Sequence, residues 1–145
     1  MTRVLRATAV DYGYVQGMNV LLAPFLFVMP ELDSYYCFHT LVSDHLTSYC
    51  NKNLLGVHRG VHLVNRCLLH LDADLHKHIL SKIPDMTILS VRFLMTLMAN
   101  VQPLSEVLLL WDRIFALGVH SIVVIFCSHL IKLRGSILQQ NTAYK

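Results

Sequence analysis

The sequence predicts an all-α protein, a single helical bundle. Apolar residues recur at helical spacing. The clearest run is Val57, Val61, Val64, Leu68 and Leu71, at steps of four, three, four and three, the mark of an amphipathic helix. No segment alternates apolar and polar residues as a half-buried strand does. Breakers fall between the apolar runs, at Gly13, Pro30, Pro84, Pro103, Gly118 and Gly135.

The elements follow in order. Val4, Leu5 and Thr8 line one side of a short first helix that ends near Gly13. Met18–Met29 is almost wholly apolar and reads as a buried helix stopped by Pro30, with Pro24 a kink or a break. Asp33 suits the N-cap of a third helix, whose inward stripe is Tyr35, Phe38, Val42 and Leu46, and Asn51-Lys52-Asn53 breaks it. The valine–leucine stripe from Val57 gives the fourth helix. Asp72-Ala73-Asp74 interrupts it before a short helix around Leu75–Ser81, and Pro84 closes that region. Thr87–Asn100 is apolar nearly all round, which predicts a central buried helix. Pro103 suits the first turn of the next helix and Glu106 its dipole. There Leu104, Val107, Leu108, Trp111 and Phe115 face inward and Gly118 is the stop. The last helix spans about Ser121 to Arg134, with Gly135 after it.

At 145 residues the chain forms one domain at most. Residues 1–135 are read as that domain and 136–145 as a polar, frayed tail. Hydrophobic residues make up 54% and charged residues only 14%, against about 25% charged in ordinary domains. Two readings explain this excess: a membrane protein, or a domain without elements that would cover its surface. A spanning helix needs about 20 apolar residues. Asn19 and Pro24 interrupt Met18–Met29, and Ser121–Ile131 is too short and contains His129. The second reading is preferred, with no transmembrane segment.

Net charge is +3 and no basic stripe with interleaved aromatics stands out, so nucleic acid is not an expected partner. Cys37, Cys50, Cys67 and Cys127 show no CxxC pairing and read as buried, reduced thiols. Met1–Ala9 has no apolar signal-peptide core, so a cytoplasmic location is expected. His58 and His62 stand four apart as in helical zinc sites, but no glutamate lies between them as in HExxH. Asp72, Asp74, His76 and His78 suit a solvated helix start. No metal site is expected. A GxSxG elbow and a GxxxxGK[ST] loop are absent from the sequence, so neither serine hydrolysis nor direct nucleotide binding is expected.

One segment stands apart: Tyr14-Val15-Gln16-Gly17-Met18-Asn19, where a lone amide sits between Gly13 and Gly17. Glycine allows tight turns and close approach to a partner. A glutamine does no acid–base chemistry near neutrality, but it can orient a water, donating through nitrogen and accepting through oxygen. Glutamine plays that part in GTP hydrolysis.

The segment resembles the YxQGM motif of TBC domains, the GTPase-activating domains for Rab-type small GTPases. The resemblance continues at Gln102–Phe115, which is similar to the family's PLxxVLxxWDxxF element, with Gly118 beyond it. The wording of Asp11–Leu26 resembles a branch that acts in the mitotic-exit and septation checkpoint, usually with a helper subunit.

The resemblance implies the central and C-terminal part of an all-α TBC domain. It implies Gln16 as a finger placed in the active site of a partner GTPase, which owns the GTP and Mg²⁺. It also implies partner contacts at Tyr14, Gly17, Met18 and Asn19, with Tyr14 and Met18 mainly fixing the loop. Trp111, Asp112 and Gly118 would be structural, Trp111 as core anchor and Asp112 as polar handle. A small GTPase and a helper subunit of a two-component activator are the implied partners, and a spindle pole or septum the implied place of recruitment.

The family's arginine finger lies in an IxxDxxR motif some tens of residues upstream of YxQGM. Only thirteen residues precede Tyr14, Arg3 and Arg6 lack that frame, and no IxxDxxR occurs elsewhere. The expectation is a domain without its first half: a truncated gene, a fragment, or a scaffold that binds a GTPase or helper without catalysing.

Overall fold

The structure, a computed structural model, describes residues 1–50 and 53–139. Among these residues it contains α-helices and no strand. The helices are α1 (Thr2–Tyr12), α2 (Met18–Val28), α3 (Glu31–Thr40), α4 (Leu55–Leu71), α5 (Ala73–Leu80), α6 (Met86–Met95), α7 (Leu104–Leu117), α8 (Ile122–Lys132) and α9 (Arg134–Gln139). A π-helical turn, Leu41–His45, prolongs α3, and a 3₁₀ turn, Val119–Ser121, leads into α8.

Helix α4 is the centre of one half of the bundle, packed against α5, α6 and α8. Its stripe does what amphipathic spacing demands. Val57, Val61, Val64 and Leu68 are buried, each such side chain contributing roughly 1.5–3 kcal/mol relative to exposure. Leu71 is the exception at 65% exposed, because the helix ends there and the chain turns away into α5. Asp72 makes that turn. Its Oδ1 accepts the Leu75 N–H at 2.9 Å, and its Oδ2 lies 2.7 Å from Arg134 Nε.

The other half joins α1, α2 and α3 to α7. Helix α2 runs through Pro24, which is buried inside it, so the proline is not a break. Leu21, Leu22 and Phe25 are buried while Phe27 and Val28 are exposed.

Several expectations are corrected. Helix α3 starts at Glu31 with Pro30 as N-cap, so Asp33 lies in the first turn. Proline's fixed φ suits a helix start, and Asp33 still meets the positive end of the dipole. Tyr35 is only half-buried, while Phe38, Val42 and Leu46 are fully buried. Helix α6 stops at Met95, short of Asn100, and Ile88 is exposed on it. In α7 the inward face is Val107, Trp111 and Ile114, while Phe115 is 47% exposed. Gly118, at φ 92°, ends α7 as expected. Gly135 does not end the last helix but lies inside α9.

The thiols are all free, but Cys37 is exposed and Cys67 half-buried. Burial pushes the Cys50 thiol up to about 11. It does the same at Cys127, also to about 11, with a smaller push from Cys67. Asn51 and Lys52, part of the expected break after the third helix, lie outside the described residues, as does the tail from Gln140; Ser136–Gln139 are helical.

Candidate functional site

The Tyr14–Asn19 segment is the loop between α1 and α2. Two glycines shape it. Gly13 has φ 75° and its N–H donates to the Ala9 carbonyl at 3.0 Å, closing α1. Gly17 has φ 101° and is the N-cap of α2. Both conformations disfavour a side chain. At Gly17 a Cβ would also lie 2.9 Å from Met95 Cε, so the end of the Met95 side chain would have to move.

Between the glycines the chain is pinned from below. Met18 is buried, its N–H donates to the Val15 carbonyl at 3.1 Å, and its Sδ accepts the Val15 N–H at 3.3 Å. Tyr14 Oη donates to Asn19 Oδ1 at 3.4 Å on the outer surface. Met18 is thus the packing residue of the loop. Tyr14 is exposed, which corrects its reading as a residue packed beneath the loop.

Gln16 lies in the turn at the tip, exposed, and its side chain makes no hydrogen bond among the described residues. A free amide on a braced backbone can donate and accept at once. Arg3 and Arg6 lie on the solvent side of α1. At about 1.5 Å per residue, Arg3 is roughly 15 Å down the helix from Gly13.

Trp111 is 3% exposed, and its Nε1–H donates to the Leu97 carbonyl at 2.9 Å. Its ring meets Phe25 edge-on at 5.3 Å and Phe115 at 5.4 Å. It anchors α2, α7 and the end of α6 together. Asp112 does not hold helices together: it is exposed and has no hydrogen bond or ion pair among the described residues. It faces an apolar groove of about 790 Å³ that Phe25, Val28, Trp111 and Phe115 also line.

The remaining polar clusters are structural. His58 and His62 are exposed on α4. His76 is buried with Nε2 2.7 Å from Asn65 Oδ1, which corrects its reading as part of a solvated helix start. A backbone hydrogen bond from Leu75, then the hydrogen bond with Arg134, holds the Asp72 carboxyl below its usual range. Among the described residues no three His, Cys, Asp or Glu side chains are grouped to hold a metal, and no helix is long and apolar enough to cross a membrane.

Sequence reasoning missed Met95 and the turn after it. Nothing in Met95-Thr96-Leu97-Met98 signals a helix end, and only the tertiary contacts reveal it.

The described residues form a helical domain that presents a glycine-framed glutamine at a loop tip. Residues 1–138 match the family model of the Rab-GTPase-TBC domain, and the chain belongs to that family. It is similar to Cell division control protein 16 of Schizosaccharomyces pombe, 36% identical over 141 residues, 95% of this chain and 47% of the relative. It is similar to Mitotic check point protein BUB2 of Saccharomyces cerevisiae, 34% identical over 130 residues, 89% of this chain and 42% of the relative. Small G protein signaling modulator 3 of Homo sapiens is more distant, 30% identical over 126 residues, 81% of this chain and 16% of the relative. The chain therefore spans about half, or less, of the length of the curated relatives it matches. No solved structure matches it.

Proposed function

We propose that this chain carries the glutamine-bearing part of an activator of GTP hydrolysis by a Rab-type small GTPase, in control of mitotic exit. The observation that carries the proposal is Gln16: exposed, unpaired and held on a braced, glycine-framed loop. Family membership supports the GTPase as partner. The names of the yeast relatives support the cell-cycle setting.

In this reading the partner binds the GTP and Mg²⁺. The loop enters its active site with Tyr14 and Asn19 at the contact, while Gly17 and Met18, both buried, support the loop from within, which corrects their reading as contact residues. The Gln16 amide then orients the attacking water or holds the switch loops. The protein acts on the GTPase and is not itself a nucleotide-binding enzyme. A helper subunit is the second proposed partner, and recruitment to a spindle pole or septum from the cytoplasm the proposed setting.

An arginine finger contributes roughly 10³–10⁵ in rate, about 4–7 kcal/mol. Residues 1–145 hold no arginine in that motif, so this chain alone is expected to stimulate hydrolysis weakly. Single-turnover hydrolysis by a panel of GTP-loaded Rab-type GTPases measures it. The assay compares the chain alone with the chain joined to an upstream IxxDxxR half from a relative. Full stimulation by the chain alone refutes the need for a second finger. Undiminished stimulation by the joined protein carrying Gln16→Ala refutes the role of Gln16. Binding without any stimulation by the joined protein favours a scaffold.

A further inference from the structure

The end of α6 has the least ordinary backbone outside the glycines. Leu97 and Met98 have φ 48° and 61°, in the left-handed region that bulky side chains avoid. Both are buried. The turn is held by hydrogen bonds. Trp111 Nε1–H donates to the Leu97 carbonyl at 2.9 Å, and the Met98 N–H donates to the Phe93 carbonyl at 2.8 Å. Thr96 Oγ1 lies 2.7 Å from the Arg92 carbonyl oxygen and 3.0 Å from Asn100 Oδ1. Backbone held against its preference collects where position matters to function.

The turn fixes the place of Met95, the last residue of α6, and Met95 lies against Gly17. From a Cβ built at Gly17, Met95 Cε would be 2.9 Å away, with Cγ and Sδ both at 3.6 Å. Trp111 also meets α2 through Phe25 at 5.3 Å. Gly17 is thus held between its own helix and the Met95 side chain, while Trp111 ties the turn after Met95 to Phe25 of α2. Gln16 has no hydrogen bond of its own, so the backbone on either side sets where its side chain leaves the loop.

We propose that Met95, backed by Trp111, is a positioning residue for Gln16, and that the strained turn at Leu97 and Met98 exists to hold it there. The inference rests on the reading of Gln16 as the glutamine that reaches the GTPase. A displacement of about 1 Å can cost about 10²-fold in rate, so a thioether beneath Gly17 is enough to matter.

The test uses the full chain as wild type, Met95→Ala, Met95→Leu, Trp111→Phe and Gln16→Ala. The first readout is amide exchange at Met18, Val20 and Leu21, whose N–H groups donate to the Val15 and Gly17 carbonyls. Met95→Ala is expected to speed exchange there by about tenfold or more, leaving α4 amides unchanged, as local opening does. Met95→Leu restores the wild-type rate. Trp111→Phe keeps an aromatic ring but loses the donor and part of the ring volume; it gives the same local effect and decides the matter if Met95→Ala does not fold.

The second readout is single-turnover hydrolysis with the GTP-loaded Rab-type panel, with the same substitutions carried in the chain joined to the upstream IxxDxxR half. Met95→Ala lowers the maximal rate while the half-saturating concentration stays put, a split that mere loss of folded protein does not give. Unchanged exchange in folded Met95→Ala and Trp111→Phe overturns the inference, whatever hydrolysis shows. Gln16→Ala separates the two claims. With exchange unchanged and hydrolysis undiminished, the Gln16 reading falls; with hydrolysis lost, it stands and the Met95 arms judge the positioning.

Discussion

The α4–α6–α8 half and the α2–α3–α7 half are built from similar side chains and end up differently. In the first, the stripe on α4 is met from both sides, and the exposed face of the same helix carries His58, Arg59, His62, Arg66 and His70. In the second, Phe27, Val28, Leu32, Tyr36, Phe115 and Leu117 remain at the surface, and Val28, Tyr36 and Phe115 line a groove of about 790 Å³. Both halves leave apolar side chains at the surface, Leu63, Leu69, Ile88 and Val124 among those of the first. They differ in that the first, the closed half, packs its α4 stripe from both sides, whereas the second, the open half, keeps a wide apolar groove and holds the loop that presents Gln16.

The comparison can be broken most forcefully at Trp111. Trp111→Ala removes a ring wedged between Phe25 and Phe115 and is expected to cost about 3–5 kcal/mol, read as a lowered denaturation midpoint. Leu68→Ala, in the half that is closed, should cost about 2–5 kcal/mol in the same measurement. If either is silent, that half does not have the core described above.

On the open half the expected sign differs. Phe27→Ser should change stability by no more than about 0.5 kcal/mol while reducing self-association, followed by size-exclusion chromatography at several concentrations. A wild-type chain that stays monomeric at every concentration would show that the exposed apolar residues are harmless alone. Thiol chemistry sharpens the same contrast. Cys37 on the open half should react promptly with a thiol reagent. Cys50 and Cys127, buried and with thiols raised to about 11, should react only as the chain unfolds, because the thiolate is the reactive form.

The smallest effect belongs to Asp72. Its carboxyl titrates below the usual range, first through the Leu75 N–H and then through Arg134. The charged form is favoured in the folded state. Its contribution is therefore complete above the ordinary carboxylate pKa, about 3.9, and is lost as pH falls through the lowered folded value. Asp72→Asn should lower the melting temperature slightly at neutral pH, leave it almost unchanged in acid, and so flatten the acid side of the melting-temperature-against-pH curve.

Much of the closed half was legible in the sequence because one period decided it. The α4 stripe could be read by counting, and only Leu71 escaped, since burial at a helix end depends on where the chain goes next. The open half resisted for a different reason. In α7 the expected face put Phe115 inward where Ile114 is buried; adjacent residues lie about 100° apart on a helix, and both are apolar. The early end of α6 had no legible signal: the turn at Leu97 and Met98 is held by hydrogen bonds from Thr96 and Met98 and, across the fold, from Trp111. At the site, Gln16 and its glycines could be read as a motif, and Met18 as packing. Met95 could not, because its role is a contact across the fold.

Trp111 is the only tryptophan in the chain, and this has a consequence for the spectroscopist. The intrinsic emission of the protein reports almost entirely from the junction of α2, α7 and the end of α6. A dye on exposed Cys37, which lines the same groove as Trp111, would make an acceptor for that emission without adding any residue. A ligand entering the groove, or a turn relaxing behind the loop, would then be seen as a change in colour before any change in melting.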